Sequence, residues 1–170
     1  MADLLVMFGT TDGQTAKVAE ALARRLRFHH HDTDVVNAAY AQPDPSAYDA
    51  VIVAASVHAG GYQREIVHWV LKNSRMLNTL PTAFVSVCLG ILQHEPKVDR
   101  ELQTIVEAFL RSTRWQPLET KMVAGAQKST RSNFVERWVM KRIARKAGGD
   151  TDTSRDYEYT DWTDLQKFAD

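Results

Sequence analysis

An apolar run, Leu4–Met7, is followed at once by a hydroxyl-rich loop and then by a helix-forming stretch, Ala16–Ala23. This pattern predicts a buried strand that ends in a short loop at the N-terminus of a helix. Unpaired backbone N–H groups and the positive end of the helix dipole favour an anion at such a position. The residues predicted to bind it are Thr10, Thr11, Asp12, Gly13, Gln14 and Thr15.

The composition of this loop restricts the kind of anion. It contains no Lys or Arg, which disfavours a nucleotide triphosphate with Mg²⁺ and favours a lone phosphate monoester, such as that of flavin mononucleotide (FMN). The Walker loop requires Lys where Gln14 stands, and the dinucleotide fingerprint requires three glycines where only Gly9 and Gly13 are present. Gly13 lacks a Cβ and permits close backbone approach. The alternative is an ordinary strand–turn–helix junction capped by Thr11 or Asp12.

Apolar runs and helical stretches alternate along the chain, with predicted helices ending near Lys72 and spanning Pro96–Leu110. The alternation with short links predicts an α/β fold, an open, parallel, doubly wound five-stranded sheet. Ligands of such sheets lie outside the carboxyl ends of the strands, where the strand order reverses. The loops after the first, third and fourth strands are therefore expected to meet. Further strands are predicted at Thr33–Asn37, Asp49–Ala55, Thr82–Val87 and Thr120–Ala126.

The loops after the third and fourth strands complete the predicted site. His58 and Tyr62 flank two glycines, which together offer backbone donors and an aromatic ring to a flat cofactor; the alternative is a plain glycine-rich turn with a surface tyrosine. Cys88 is expected to pack near the ligand rather than to act as a nucleophile, because no second cysteine or base accompanies it. The predicted binding residues of these loops are Ser56, Val57, His58, Gly60, Tyr62, Val87, Cys88, Leu89 and Gly90.

Length and composition predict one domain over residues 1–170. A single cysteine excludes an internal disulfide and fits a reducing compartment, and the absence of a signal segment predicts a cytoplasmic location. The three consecutive histidines 29–31 are expected to be a solvated helix end rather than a metal site, because adjacent side chains diverge. No metal site is predicted.

The zero net charge of the chain conceals an uneven distribution. Residues 127–147 contain seven basic residues and one acidic residue, a net charge of +6, so the remainder carries −6. Ser132–Lys146 is predicted to be a basic helix with an apolar stripe around Trp138, the pattern of a helix at an anionic membrane surface. The alternative is a helix packed on the sheet with a solvated basic side. One basic element in an acidic domain does not favour nucleic acid.

The end of the chain contains an insertion. Gly148-Gly149 ends the basic helix, Arg155–Tyr159 alternates like an edge strand, and a short helix starts within Thr160–Asp164. The helical insertion therefore occupies about residues 127–150, within the last β-to-α connection.

Taken in order, several segments resemble the flavodoxin-like protoporphyrinogen oxidases, the menaquinone-dependent protoporphyrinogen IX dehydrogenases of bacteria. The last two segments, together with the insertion before them, are the most specific, because the first is shared with flavodoxins generally. The matching segments are residues 11–15, 54–57, 80–87, 123–126, 148–153 and 159–162.

The resemblance implies a flavodoxin-like fold that binds FMN and oxidises protoporphyrinogen IX to protoporphyrin IX in heme biosynthesis. Electrons would pass to menaquinone or ubiquinone at the inner face of the cell membrane. A homo-oligomer is compatible with the resemblance. The substrate's propionates require cations, for which Arg131, Arg137 and Lys141 are the candidates. Two alternatives remain from the residues: a flavodoxin-type FMN electron shuttle without its own substrate, and an NAD(P)H-dependent quinone reductase. A shuttle usually presents an acidic face, and no pattern for a nicotinamide site is present.

Overall fold

The computed structural model describes residues 1–88, 96–128, 156–158 and 160–170. The strands are β1 (Asp3–Gly9), β2 (Asp32–Asn37), β3 (Ala50–Ser56), β4 (Thr82–Cys88), β5 (Glu119–Ala124), β6 (Ala126–Lys128) and β7 (Asp156–Glu158). The helices are α1 (Gln14–Phe28), α2 (Arg64–Leu77), α3 (Pro96–Thr113) and α4 (Trp162–Ala169), with a 3₁₀ turn at Pro45–Ala47.

Five strands form one parallel sheet in the order β2-β1-β3-β4-β5. The predicted fold class is confirmed, because this is the strand order of flavodoxin-like sheets. The chain runs outward from β1 to β2 and then crosses back to β3, so the strand order reverses between β1 and β3. The register pairs Gly9 with Ala55, Ser56 with Val87 and Cys88 with Ala124, which brings the carboxyl ends of four strands to the same level.

Helices cover both faces of the sheet, which explains why its strands are nearly continuous apolar runs. Leu5 and Met7 face a core formed with α2 and α3, in which Trp69, Phe84 and Trp115 are fully buried. Alternate residues of the same strands pack against α1 and α4 in a second core. Each large apolar side chain buried in this way stabilises the fold by about 1.5–3 kcal/mol. The sheet is therefore a rigid base for the loops at its carboxyl edge.

The fifth strand is shorter than the predicted Thr120–Ala126. β5 ends at Ala124, where the Thr160 hydroxyl donates a hydrogen bond of 2.7 Å to the Ala124 carbonyl oxygen. The chain then leaves the parallel sheet, and β6 pairs antiparallel with β7. The strand predicted at Arg155–Tyr159 is present as β7, but it pairs with β6 and not with the edge of the large sheet. Among the described residues no helix is long and apolar enough to cross a membrane.

Candidate functional site

A cleft lies at the carboxyl edge of the sheet, at the reversal of strand order between β1 and β3. Its volume of about 90 Å³ is small compared with the roughly 300–1,000 Å³ of pockets that enclose a whole drug-sized ligand, and suits a phosphate-sized group. Among the described residues, eleven line it, of which ten are predicted binding residues and the eleventh is Gly125. They are Thr10, Thr11, Asp12, Gln14, Thr15, Ser56, Val57, His58, Val87, Cys88 and Gly125.

The first loop presents an uncapped helix N-terminus to this cleft. The N-cap of α1 is Gly13, which has no side chain to cap the helix, so neither Thr11 nor Asp12 occupies the N-cap position. The φ angle of Gly13 is 89°, a left-handed conformation that residues with a Cβ rarely adopt. Its N–H donates to Thr10 Oγ1 at 2.8 Å, which closes the loop on itself. The N-cap residue therefore supplies no side-chain cap to the N–H groups in the first turn of α1.

Three hydroxyl groups around the cleft accept hydrogen bonds from the protein. A hydroxyl has one proton to donate and two lone pairs that accept. Thr10 Oγ1 accepts from Gly13 N, and the hydroxyls of Thr11 and Ser56 accept from the side-chain amide of Gln63 at 3.0 and 2.7 Å. Each of these hydroxyls therefore has its own proton left for another acceptor. Thr15 Oγ1 is buried and has no hydrogen-bond partner among the described residues. This arrangement fits a bound anion.

Gln63 is a site residue that the sequence analysis missed. It stands at the N-cap of α2, and its Oε1 accepts from the backbone N–H of Ser56 at 3.3 Å. A lone glutamine before a helix belongs to no motif. Its contacts are visible only in the fold, where a Cβ at Gly9 would stand 2.6 Å from Ile66 Cγ1 and 3.1 Å from the Gln63 side chain.

Gln14 connects the first loop to the end of the chain. Its buried amide donates to Thr160 Oγ1 at 2.8 Å, and Thr160 in turn donates to the Ala124 carbonyl. The start of α1, the end of β5 and the approach to α4 are joined through these two bonds. The Gln14 side chain therefore supports the loop.

The second loop contains a tight turn. The backbone N–H groups of His58 and Gly61 donate to each other's carbonyls at 2.8 and 3.1 Å, and the φ angles of Ala59 and Gly60 are 49° and 79°. Positive φ at both central residues is the geometry of a type I′ turn. Gly60 lies at the tip of this turn with open space around it, whereas His58 lines the cleft.

Tyr62, which was expected to offer its ring to a cofactor, packs its ring against the core. Its ring packs against Phe84 and Phe109, with centroids 5.2 and 5.0 Å away. Its hydroxyl is 2.8 Å from Ser86 Oγ, and burial raises the Tyr62 pKa to about 12. The ring belongs to the core and holds the end of the turn against β4.

The other predicted site residues lie either in the cleft or outside the described residues. Val87 and Cys88 line the cleft, and Cys88 is buried, whereas Leu89 and Gly90 lie outside the described residues. The predicted basic helix, with Arg131, Arg137 and Lys141, also lies outside them. His29 contacts Asp170 at 2.9 Å, and no group of three or more potential ligands for a metal ion occurs in the described part of the chain.

A larger groove of about 390 Å³ runs between α1 and α4. It is lined by Arg24, Phe28, Trp162 and their neighbours and contains no predicted site residue. Arg25, on its wall, is paired with Asp170. The chemistry of the smaller cleft, rather than the size of the groove, identifies the candidate site.

Known proteins are similar to this chain over nearly its whole length. Residues 5–154 match the Flavodoxin domain family. The Escherichia coli (strain K12) protoporphyrinogen IX dehydrogenase (quinone) is 33% identical over 166 residues, which cover 97% of this chain and 91% of the relative. The protein of the same name from Leishmania major is 30% identical over 173 residues, which cover 97% and 72%. The structure of oxidised Flavodoxin 1 from Bacillus cereus has a TM-score of 0.52 at 14% identity, covering 86% of this chain and 95% of that one, and shows the shared fold.

Proposed function

This chain belongs to the flavodoxin-domain family of quinone-dependent protoporphyrinogen IX dehydrogenases, and from that membership we propose its reaction. It is an oxidoreductase that oxidises protoporphyrinogen IX to protoporphyrin IX, with FMN as its cofactor and a membrane quinone as the electron acceptor. Each two-electron oxidation of the substrate reduces one quinone to a quinol, and the protons released from the substrate balance those that the quinone takes up.

The observation that carries the cofactor proposal is the polarity of the cleft hydroxyls. Thr10, Thr11 and Ser56 accept hydrogen bonds from the protein, and Thr15 Oγ1 is buried without a hydrogen-bond partner in the part of the chain that the structure describes. Four hydroxyl donors beside a helix N-terminus suit a phosphate group, because hydrogen bonds to a charged acceptor are the strong ones. The residues present therefore fit the phosphate of FMN.

When bound, FMN supplies the hydride-accepting and electron-transferring chemistry that protein side chains lack. The protein's part is to hold the phosphate in the cleft through Thr10, Thr11, Thr15 and Ser56. The uncapped N–H groups of α1 add the favourable end of the helix dipole. Binding of the substrate's propionates is proposed for Arg131, Arg137 and Lys141, on the sequence alone.

The proposal is tested with the purified full-length protein. The visible spectrum should show a bound flavin, and heat release followed by chromatography should identify it as FMN. Under anaerobic conditions, protoporphyrin fluorescence should rise when a menaquinone analogue is added to protoporphyrinogen IX and the protein, and should stay low without the quinone. A protein that binds FMN but forms no protoporphyrin with any quinone would instead be an electron shuttle.

A further inference from the structure

We propose that Gln63 is a positioning residue of the cofactor site, whose side-chain amide turns the hydroxyl protons of Thr11 and Ser56 toward the FMN phosphate. This role rests on the proposed function, because it requires FMN in the cleft. Gln63 itself does not line the cleft. It acts through the two hydroxyls, and so it sets the preference of the cleft for an anion.

The orientation of the amide follows from its hydrogen bonds. A backbone N–H can only donate, so the Gln63 atom 3.3 Å from Ser56 N must be the carbonyl oxygen. The amide nitrogen is then the atom at 2.7 Å from Ser56 Oγ and 3.0 Å from Thr11 Oγ1. These three hydrogen bonds are satisfied only in this orientation of the amide.

This orientation decides what the two hydroxyls can do. An amide nitrogen donates and does not accept, so Thr11 and Ser56 must both serve it as acceptors. Each hydroxyl keeps one proton, which it can donate to a phosphate oxygen. A carboxylate at position 63 would reverse this polarity, because it would accept both protons and add a negative charge beside the phosphate.

The surrounding packing holds the amide in place. Gly9 is the close neighbour of the Gln63 side chain, and a Cβ at Gly9 would stand 3.1 Å from both Cβ and Oε1 of Gln63. Gln63 is also the N-cap of α2, and its backbone carbonyl oxygen accepts a hydrogen bond from Val67 N at 3.1 Å. The fully buried Ile66 fixes the same end of the helix against β1. The amide is thus packed between the ends of β1 and β3.

The experiment compares FMN with riboflavin, which has the same ring but no phosphate. The apoproteins of wild type, Gln63→Met and Gln63→Glu are titrated with each flavin. In Gln63→Met the ratio of FMN to riboflavin affinity should fall up to about tenfold, because the two hydroxyls lose the donor that orients them. In Gln63→Glu the ratio should fall about 100-fold or more, since the carboxylate takes both hydroxyl protons and each lost bond to a charged group weakens binding by about tenfold. The control is Gln116→Glu, the same chemical change at an exposed residue between α3 and β5, and its ratio should match wild type.

The affinity ratio separates positioning from general loosening. A variant that only disturbs the fold weakens both flavins alike, and thermal denaturation of each apoprotein records such a loss. If Gln63→Glu does not fold, Gln63→Met carries the test. An unchanged affinity ratio in the folded Gln63 variants overturns the role of Gln63 and leaves the proposed function standing. A wild-type protein that binds neither flavin overturns the proposed function, and the role of Gln63 with it.

Discussion

Thr15 is the residue at which the structure gives up stability to form a binding site. Its side chain is completely buried in the first turn of α1, and its hydroxyl has no partner among the described residues. Burying a polar group without a hydrogen bond costs about 1–3 kcal/mol. A phosphate oxygen in the cleft would supply the missing acceptor. The same atom should therefore destabilise the apoprotein and stabilise the complex with FMN.

The Thr15→Val substitution separates these two effects, because valine keeps the shape of threonine and removes the hydroxyl. We expect the apoprotein to gain up to about 1–3 kcal/mol in free energy of unfolding, and FMN to bind about tenfold more weakly or worse. Denaturant unfolding and flavin titration measure the two quantities. Thr33→Val is the matched control. Thr33 Oγ1 is also buried and has no hydrogen-bond partner within the described ranges, but it lies on β2, outside the cleft. It should change stability and leave FMN binding unchanged.

Tyr62 is a predicted cofactor residue whose ring packs against the core. The Tyr62→Phe substitution keeps the ring in the core and leaves Ser86 Oγ, which is 1% exposed, without its partner. We expect a loss of about 1–2 kcal/mol in free energy of unfolding, with unchanged flavin affinity and an unchanged flavin spectrum. A shift in the flavin spectrum with unchanged stability would restore the interpretation in which Tyr62 contacts the cofactor.

At the scale of elements, the strands and their ends were predictable because helices cover the sheet on both faces. Burial on both sides turns each strand into an apolar run, and parallel strands place their following loops together. The end of β5 was not predictable. It depends on Thr160, which is 36 residues from Ala124 along the chain and belongs to no local pattern. Gln63 was missed for the same reason, since its partners Thr11 and Ser56 lie on other segments.

The ends of α1 and α4 are joined by an exposed ion pair. Arg25 of α1 and His29, the residue after α1, both contact the Asp170 carboxylate. Their hydrogen bonds lower the Asp170 pKa to about 2, with the Arg25 bond the larger cause. A carboxyl with a lowered pKa adds stability above its unfolded pKa of about 3.9 and loses that contribution as the pH falls toward 2. Because the pair is exposed, the effect should be small.

The Asp170→Asn substitution tests this contribution. Wild type should have a slightly higher melting temperature than the variant at pH 6, because only the carboxylate carries a charge for Arg25. The difference should shrink between pH 4 and pH 2 as the wild-type carboxyl becomes protonated. Melting curves across this range provide the measurement. A difference that stays constant to pH 2 would show that the charge of Asp170 is not its cause.

At the scale of the molecule, the basic residues are concentrated in one segment near the end of the sequence. β6 and β7 pair at Lys128 and Asp156, so the chain leaves and returns at adjacent points. Residues 127–147 carry a net charge of +6 within a protein of zero net charge. The described cleft residues all precede this segment in the sequence. Thr160, which accepts a hydrogen bond from Gln14, follows it. The rest of the chain should therefore bind flavin without the inserted residues.

Deletion of residues 129–155 tests this prediction. Joining Lys128 to Asp156 through Asn-Gly, which favours a type I′ hairpin turn, preserves the paired strands. We expect a yellow protein with one FMN per chain and no oxidation of protoporphyrinogen IX with quinone. Flavin absorbance and the fluorescence assay measure the two properties. Normal turnover by the deletion protein would show that the segment contributes neither substrate contacts nor membrane attachment.

The last prediction concerns the membrane. The apolar stripe around Trp138 and the basic residues between Arg137 and Lys146 predict binding to anionic vesicles, because each basic residue at such a surface contributes about 1 kcal/mol. Lys141→Glu with Arg145→Glu should reduce co-sedimentation with phosphatidylserine vesicles more than activity with a water-soluble quinone. Lys72→Glu with Arg75→Glu makes the same charge change on exposed residues of α2 and should have little effect.

Two comparisons decide between a membrane-binding helix and a helix packed on the sheet. Binding should weaken as the salt concentration rises, since screening shortens the reach of the lipid charge, and vesicles of neutral phosphatidylcholine should bind far less protein. A stripe packed against the sheet leaves no apolar side chains to insert into lipid. Absence of binding to anionic vesicles at low salt would therefore reject the membrane proposal, and the quinone would then have to reach the flavin from solution or through a partner protein.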